Sequence, residues 1–138
     1  MNIAYKVSER STCTKRKVGS VIVKNKKIIS CGYNEPSSGL PNYTPETCVL
    51  DKNGKCILGM AQHSEVNACL FADPKDREGA TLFCTVQPCA ACSSVIINSG
   101  IKRVIYDQVH PPQIDKLKEA NIPSLQLLEA IKQDIENC

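Results

Sequence analysis

Tryptophan is absent and phenylalanine occurs only twice, so with four tyrosines the chain offers few rings on which the bases of a single strand could stack. Charge of one sign is also scarce: 17 Lys and Arg face 14 Asp and Glu, a net of +3, which is too small an excess to mark a polyanion-binding surface. A nucleic-acid partner is therefore not expected. No apolar run approaches the roughly 20 residues that cross a bilayer, and Met1 to Arg10 lacks the apolar stretch of a secretory signal. The expectation is a cytoplasmic protein that uses no membrane, in the host cytoplasm if the source is a virus. Internal repeats, low-complexity tracts and linkers are lacking too, and 138 residues with 42% hydrophobic and 22% charged side chains suit one folded domain, 1–138.

Cysteine, by contrast, is plentiful, with nine in the chain. In a reducing compartment such a count points to metal binding and small buried thiols rather than to disulfides, and the odd number leaves one unpaired in any case. Cys31, Cys69 and Cys84 fall in apolar stretches and are expected in the core, whereas Cys138 is terminal and is given no role.

Hydrophobic periodicity gives the elements. Ile3, Ala4 and Val7 place a helix within 2–11, and Val18 to Val23 followed by Ile28 to Cys31 predicts a hairpin with Asn25 in its turn. Residues 35–61 hold prolines and glycines without periodicity, which reads as a long functional loop. Val66, Cys69 and Leu70 predict a helix from His63 to Asp73, packed on a sheet by those residues and stopped at Pro74. A strand over Thr81 to Thr85, a helix over Cys89 to Ser99 with Pro88 in its first turn and Gly100 at its cap, and a strand over Ile101 to Tyr106 follow. A last amphipathic helix spans Leu127 to Ile135. Strand, helix, strand implies parallel pairing, so the class is α/β, with a sheet faced by helices.

Two short motifs carry chemistry. His63, Ser64 and Glu65 give H-x-E, and Pro88, Cys89, Ala90, Ala91 and Cys92 give P-C-x-x-C. One imidazole and two thiolates are a donor set for a catalytic zinc, which takes three protein ligands and keeps a position open for water. Glu65 is then left to move protons. Cys89 and Cys92, three apart at a helix start, share a face. His63 and Glu65, two apart, cooperate only if they sit at a helix entrance, where the chain direction is changing. Alone, the C-x-x-C fits a redox pair or half of a structural zinc site, and H-x-E recurs by chance. In this order, each opening a helix, the two match the signature of zinc-dependent base deaminases.

With these motifs, Ser11, Thr12 and Cys13 leading to Lys17, Val18 and Gly19, then Gly32, Tyr33 and Asn34, then His63 through Ala68, then Ser99, Gly100 and Ile101 recur in order and spacing over nearly the whole chain. On these the chain resembles the deoxycytidylate (dCMP) deaminases. The resemblance implies the cytidine deaminase-like fold, a three-layer α/β/α arrangement with a mixed sheet of about five strands. It implies zinc on His63, Cys89 and Cys92, Glu65 as the proton shuttle, and conversion of dCMP to dUMP and ammonia to supply thymidylate synthesis. By the same resemblance Asn34 bonds the deoxyribose and backbone near Val18, Gly19 and Gln87 lines the base pocket. Tyr106 lies in the region near the nucleotide. Lys15, Arg16 and Lys17 stand where a 5′-phosphate would meet cations, although a solvated basic turn is an equally good reading of any one of them.

Departures from the family bear on specificity. Glu35 replaces the glycine that usually follows Tyr33 and Asn34, in a loop that takes part in binding dCTP as activator or dTTP as inhibitor in allosteric relatives. Val109 and His110 stand where relatives often carry another tyrosine, and His110 reads either as a phosphate contact or as a surface residue of a turn stiffened by Pro111 and Pro112. Acceptance of dCTP beside dCMP is open on these grounds. Cys13, Cys48 and Cys56 match places where some bacterial and phage relatives hold a second, structural zinc; Glu46 or another cysteine would supply a fourth ligand. The resemblance also implies a homo-oligomer, a hexamer above other states. Two other classes are weighed beside the nucleotide enzyme. One is a deaminase of tRNA or single-stranded DNA, against which the charge and the scarce rings speak. The other is a zinc-stabilised module without activity, which would have no use for Glu65.

Overall fold

The computed structural model describes residues 1–46, 52, 61–110 and 115–137. Within them the elements run α1 (Asn2–Ser8), β1 (Gly19–Lys24), β2 (Lys27–Tyr33), α2 (Ser64–Leu70), α3 (Pro74–Arg77), β3 (Thr81–Val86), α4 (Ala90–Asn98), β4 (Arg103–Gln108), α5 (Lys116–Glu119), β5 (Ser124–Gln126) and α6 (Leu127–Glu136). The strands form one mixed sheet in the order β2-β1-β3-β4-β5. Strand β1 runs antiparallel to both β2 and β3, while β3, β4 and β5 are parallel. This is the expected α/β class with its five-stranded mixed sheet.

The hairpin closes through Asn25 and Lys26, both with positive φ (51° and 63°), the left-handed pair whose twist matches the two strands it joins. Alternation along β1 then decides what lies on each face. Ser20 and Ile22 face α2, whereas Gly19 faces α1; a Cβ at Gly19 would lie 2.0 Å from the Ala4 carbonyl oxygen, so only glycine lets α1 settle there. Opposite Ser20 in β2 stands Gly32, where a Cβ would lie 2.3 Å from the Ser64 carbonyl oxygen. That close approach presses the N-terminal turn of α2 onto the sheet. Ser30 Oγ donates to the Ala68 carbonyl at 2.6 Å and Asn67 Nδ2 to the Tyr33 carbonyl at 2.9 Å, which fixes the helix along β2.

The main core lies between the sheet and the α2, α4 layer, around Ile22, Leu82, Ile96, Ile101, Val104 and Leu117. Helices α1 and α6 cover the other face, on the side of Arg103 and Asp107: Arg103 pairs with Asp134 of α6, and Tyr5 of α1 donates its hydroxyl to Asp107. Burial, then the bond to Asp107, raises the Tyr5 pKa above its ordinary value of 10.0. A raised folded-state pKa means stability that is fully present below about pH 10 and lost as pH rises through the folded value. Tyr5→Phe is therefore expected to flatten the alkaline limb of unfolding free energy against pH, as read by urea titrations from pH 8 to 11.

Several expectations need correction. The helix at 63–73 ends at Leu70, and Pro74 opens the next turn, α3, under an Asp73 cap. Leu70 is 69% exposed rather than packed, because the face of α2 turned to the sheet carries Ser64, Glu65, Ala68 and Cys69. Pro88 precedes the helix instead of sitting in its first turn, since Cys89 is the cap and Ala90 the first helical residue. Cys69 and Cys84 are buried as expected, but Cys31 is exposed: it sits on edge strand β2, opposite Val21. The short elements α5 and β5 have no counterpart in the sequence reading. Much of the 35–61 loop, Pro111, Pro112 and Cys138 lie outside the described residues.

Candidate active site

Strand directions converge the motifs on one end of the sheet. Because β1 is antiparallel to β3, its start adjoins the end of β3, and Gly19 N donates to Thr85 Oγ1 at 3.1 Å. The end of β2 adjoins the same point through Gly19 opposite Tyr33, and parallel pairing brings Gln108 beside Val86. Residues 16–18, 34–35, 87–89 and 109–110 thus meet where the parallel strands end, the place where open α/β sheets bind ligands. A two-way backbone bridge between Glu35 and Gln62 carries the chain to His63 at this end.

The two helix entrances supply the donors. His63 is the cap residue of α2 in extended conformation (φ −71°, ψ 151°), so it turns off the helix while Glu65 sits inside the first turn. This is how residues two apart come to flank one spot. Cys89 caps α4, its sulfur accepting from the Cys92 amide at 3.5 Å. His63 Nδ1 lies 3.2 Å from Cys92 Sγ and 3.6 Å from Cys89 Sγ, and the three ligand atoms fall within 4.8 Å of one another. Ligand bonds of about 2.0–2.3 Å in a tetrahedron place nitrogen and sulfur roughly 3.5 Å apart, so the residues fit a zinc ion.

Of the three donors, Cys89 alone is held in the deprotonated form a metal takes, while Cys92 and His63 must give up protons to bind one. Hydrogen bonds from Cys92 and then His63 pull the Cys89 thiol down to about 3, giving a thiolate at neutral pH. The bond to Cys89, followed by burial, pushes the Cys92 thiol up, and the bond to Cys89 raises His63. Glu65 is 4% exposed, and burial raises its carboxyl above the ordinary range, toward the pKa of a group that both takes and gives protons.

The remaining sequence-derived residues divide. Val18 and Gly19 are at the site's edge, with Asn34 behind them: its Oδ1 accepts from Val18 N at 2.8 Å and its Nδ2 donates to the Arg16 carbonyl at 2.8 Å. The Asn34 side chain thus clamps the 16–18 segment. Arg16 and Lys17 are exposed on that clamped turn, as is Lys15. Gln87 extends the β3–β4 pairing through its amide to the Gln108 carbonyl (2.8 Å), and its side-chain oxygen accepts from His110 N at 3.2 Å. His110 is thereby held beside the segment that leads to Cys89. Tyr106 is half-buried and packed on the core. Cys13 is half-buried and Glu46 exposed, while Cys48 and Cys56 lie outside the described residues; among those described, His63, Cys89 and Cys92 are the one metal-capable group.

Sequence reasoning missed Ser20 and Ser64, both fully buried behind Glu65. The position of Ser64 inside the H-x-E motif was a signal for one of them; Ser20 looks like any small residue of a strand. A cleft of about 530 Å3 opens between the loop after Glu35 and the outer side of α2, with Leu40, Gln62, Asn67, Leu70 and Phe71 on its walls.

Three donors able to hold a metal on two helix entrances, with a buried carboxylate alongside, are the arrangement a zinc-dependent hydrolase of the deaminase type needs. A model of the cytidine and deoxycytidylate deaminase zinc-binding region matches residues 1–108, and the chain belongs to that family. It is 38% identical over 116 residues to the deoxycytidylate deaminase of Mycobacterium phage D29, covering 77% of this chain and 89% of that one. To the deoxycytidylate deaminase of Enterobacteria phage T2 it is 33% identical over 163 residues, covering 88% and 87%. The crystal structure of the cyanophage S-TIM5 dCMP deaminase in complex with dCMP and dUMP superposes with a TM-score of 0.77 at 31% identity, over 91% of this chain and 92% of that one. No helix among the described residues is long and apolar enough to cross a membrane.

Proposed function

We propose that this chain, acting as a single deaminase domain, hydrolyses dCMP to dUMP and ammonia and so supplies dUMP for thymidylate synthesis. The observation that carries the reading is the likeness, over nine-tenths of both chains, to an enzyme crystallised with dCMP and dUMP, taken with a matching donor set beside a buried Glu65. His63, Cys89 and Cys92 would hold a zinc ion, which would supply Lewis acidity and acidify the attacking water at neutral pH. Glu65 takes a proton from water and delivers it to cytosine N3 as a C4–O bond forms, then takes the remaining proton from the new C4 hydroxyl and gives it to the departing amine as the C4–N bond breaks and C4=O forms. Water and dCMP are consumed, and dUMP and ammonia leave, with no other reactant.

The residues around the metal cluster are given the remaining tasks. Backbone at Val18, Gly19 and Gln87 lines the base, and Asn34 holds that wall in place while keeping one N–H and one lone pair for the sugar. Arg16 and Lys17, exposed on the clamped turn, take the phosphate. The reading extends to a homo-oligomer, with the exposed apolar line of Leu128, Ile131 and Ile135 on α6 (68%, 46% and 69% exposed) as a face for association, to a hexamer on the family resemblance alone, and to a cytoplasmic location. Regulation by dCTP or dTTP is disfavoured by the carboxylate of Glu35 on the cleft wall. A second zinc on Cys13, Cys48 and Cys56 would give two zinc ions per chain by plasma emission.

The test is ammonia release from deoxycytidine, CMP, dCMP, dCTP and a cytosine-containing oligonucleotide in parallel. Turnover of dCMP well above deoxycytidine is the expected result, and the dCTP lane decides whether Glu35 and His110 accompany a broader range. Turnover confined to the oligonucleotide would replace the reading with a polynucleotide deaminase.

A further inference from the structure

Behind Glu65 runs a line of buried polar groups drawn from three elements. Ser64 Oγ of α2 donates to Glu65 Oε2 at 2.8 Å, Ser20 Oγ of β1 lies 2.7 Å from Ser64 Oγ, and Cys84 Sγ of β3 lies 3.3 Å from Ser20 Oγ. Ser20, Ser64 and Cys84 are wholly shielded from solvent. Register and glycine create the line: Ser20 pairs with Cys84 on one side and Gly32 on the other, and the missing Cβ of Gly32 lets Ser64 come down to hydroxyl distance.

Valence sets its direction. Ser64 Oγ donates to Glu65 Oε2, and each serine has one proton to give. The Ser64 proton is committed to Oε2, so the Ser64 oxygen accepts and Ser20 is its donor. The one proton of Ser20 has two acceptors in reach, Ser64 Oγ at 2.7 Å and Cys84 Sγ at 3.3 Å, and the shorter contact takes it. All hydroxyl protons along the line point toward Glu65, and Ser20 reaches the carboxylate through Ser64.

The geometry points to Ser20 and Ser64 as positioning residues for the reaction: they hold Glu65 Oε2 as a fixed acceptor and leave Oε1 as the oxygen that exchanges protons with water and base. The inference rests on the deamination reading and assigns a task to two side chains that neither bind metal nor carry the transferred proton. A carboxylate that rotated freely would present either oxygen at random, and proton transfer depends on a donor held within hydrogen-bond reach.

Two measurements test it, one on turnover and one on the resting protein. Ser64→Ala is expected to lower kcat on dCMP about tenfold at unchanged KM, the loss of one hydrogen bond to a charged acceptor. Ser20→Ala is expected to lower kcat about threefold, and the double variant to fall no lower than Ser64→Ala, because residues acting in series are not additive. Multiplying effects, a rise in KM with kcat unchanged, or wild-type kcat in both single variants would overturn the inference. Neutron diffraction of wild-type crystals reads the same point without variants or substrate. Deuterons are expected between Ser64 Oγ and Glu65 Oε2 and between Ser20 Oγ and Ser64 Oγ, with Ser20 as donor. A deuteron carried on Oε2, or Ser64 donating to Ser20, would overturn it. If the wild-type chain leaves dCMP unchanged, the function reading falls, while the neutron map still decides the orientation of the line.

Discussion

Glu65→Gln is expected to retain a full complement of zinc and to lose dCMP turnover by about 10² to 10⁴-fold, the usual contribution of one well-placed proton-transfer group. The amide keeps the size of the side chain and can still accept from Ser64 Oγ, which donates to Glu65 Oε2 at 2.8 Å in the native protein. It cannot take a proton from water or pass one to cytosine N3. Removing the carboxylate also relieves a buried charge, since burial is the largest influence raising the Glu65 pKa. The variant is therefore expected to melt at or above the wild-type temperature while being nearly inactive. Zinc content by plasma emission, a thermal melt and initial rates on dCMP check the three parts. Wild-type turnover in Glu65→Gln would remove Glu65 from the chemistry, and loss of zinc would place it among the ligands instead.

Cys92→Ala is expected to have the opposite profile, losing metal and activity together. Cys92 is 2% exposed, and its sulfur stands 3.2 Å from His63 Nδ1. Without it the site keeps one imidazole and one thiolate, too few for the three protein ligands of a catalytic zinc. Because a metal that binds only the folded chain stabilises it by mass action, chelation of the wild-type protein is expected to lower its melting temperature, and added zinc to restore both melting and turnover. In Cys92→Ala the melt no longer responds to chelator. Stoichiometric zinc in that variant would show that the fold holds its metal elsewhere.

What could be read beforehand divides along physical lines. The metal cluster was legible because its donors are chemically rare and their spacing is tied to helix starts: a cap at His63, a cap at Cys89 and the third helical position at Cys92. The hairpin was legible because Asn25 sits between two β-branched runs. The element β5, three residues long and held by β4 through Val104, Ile105 and Tyr106, is too short to display a period. Leu70 was misread because periodicity marks an apolar face wherever it occurs; here the inward face of α2 is made polar by the site it carries, and Leu70 turns to the cleft. Asn34 could be picked out by resemblance, but its clamp on residues 16–18 depends on β1 and β2 lying side by side. Ser20 was invisible for a similar reason: its partners Ser64 and Cys84 are 44 and 64 residues away.

The central claim, that this chain removes the amine of dCMP with water, is tested most directly by incubating the zinc-loaded protein with dCMP in 18O-labelled water. The account predicts one ammonia per dUMP and a single 18O atom in each dUMP, carried on C4 of the base. Unchanged dCMP in the presence of protein with full zinc occupancy would contradict it.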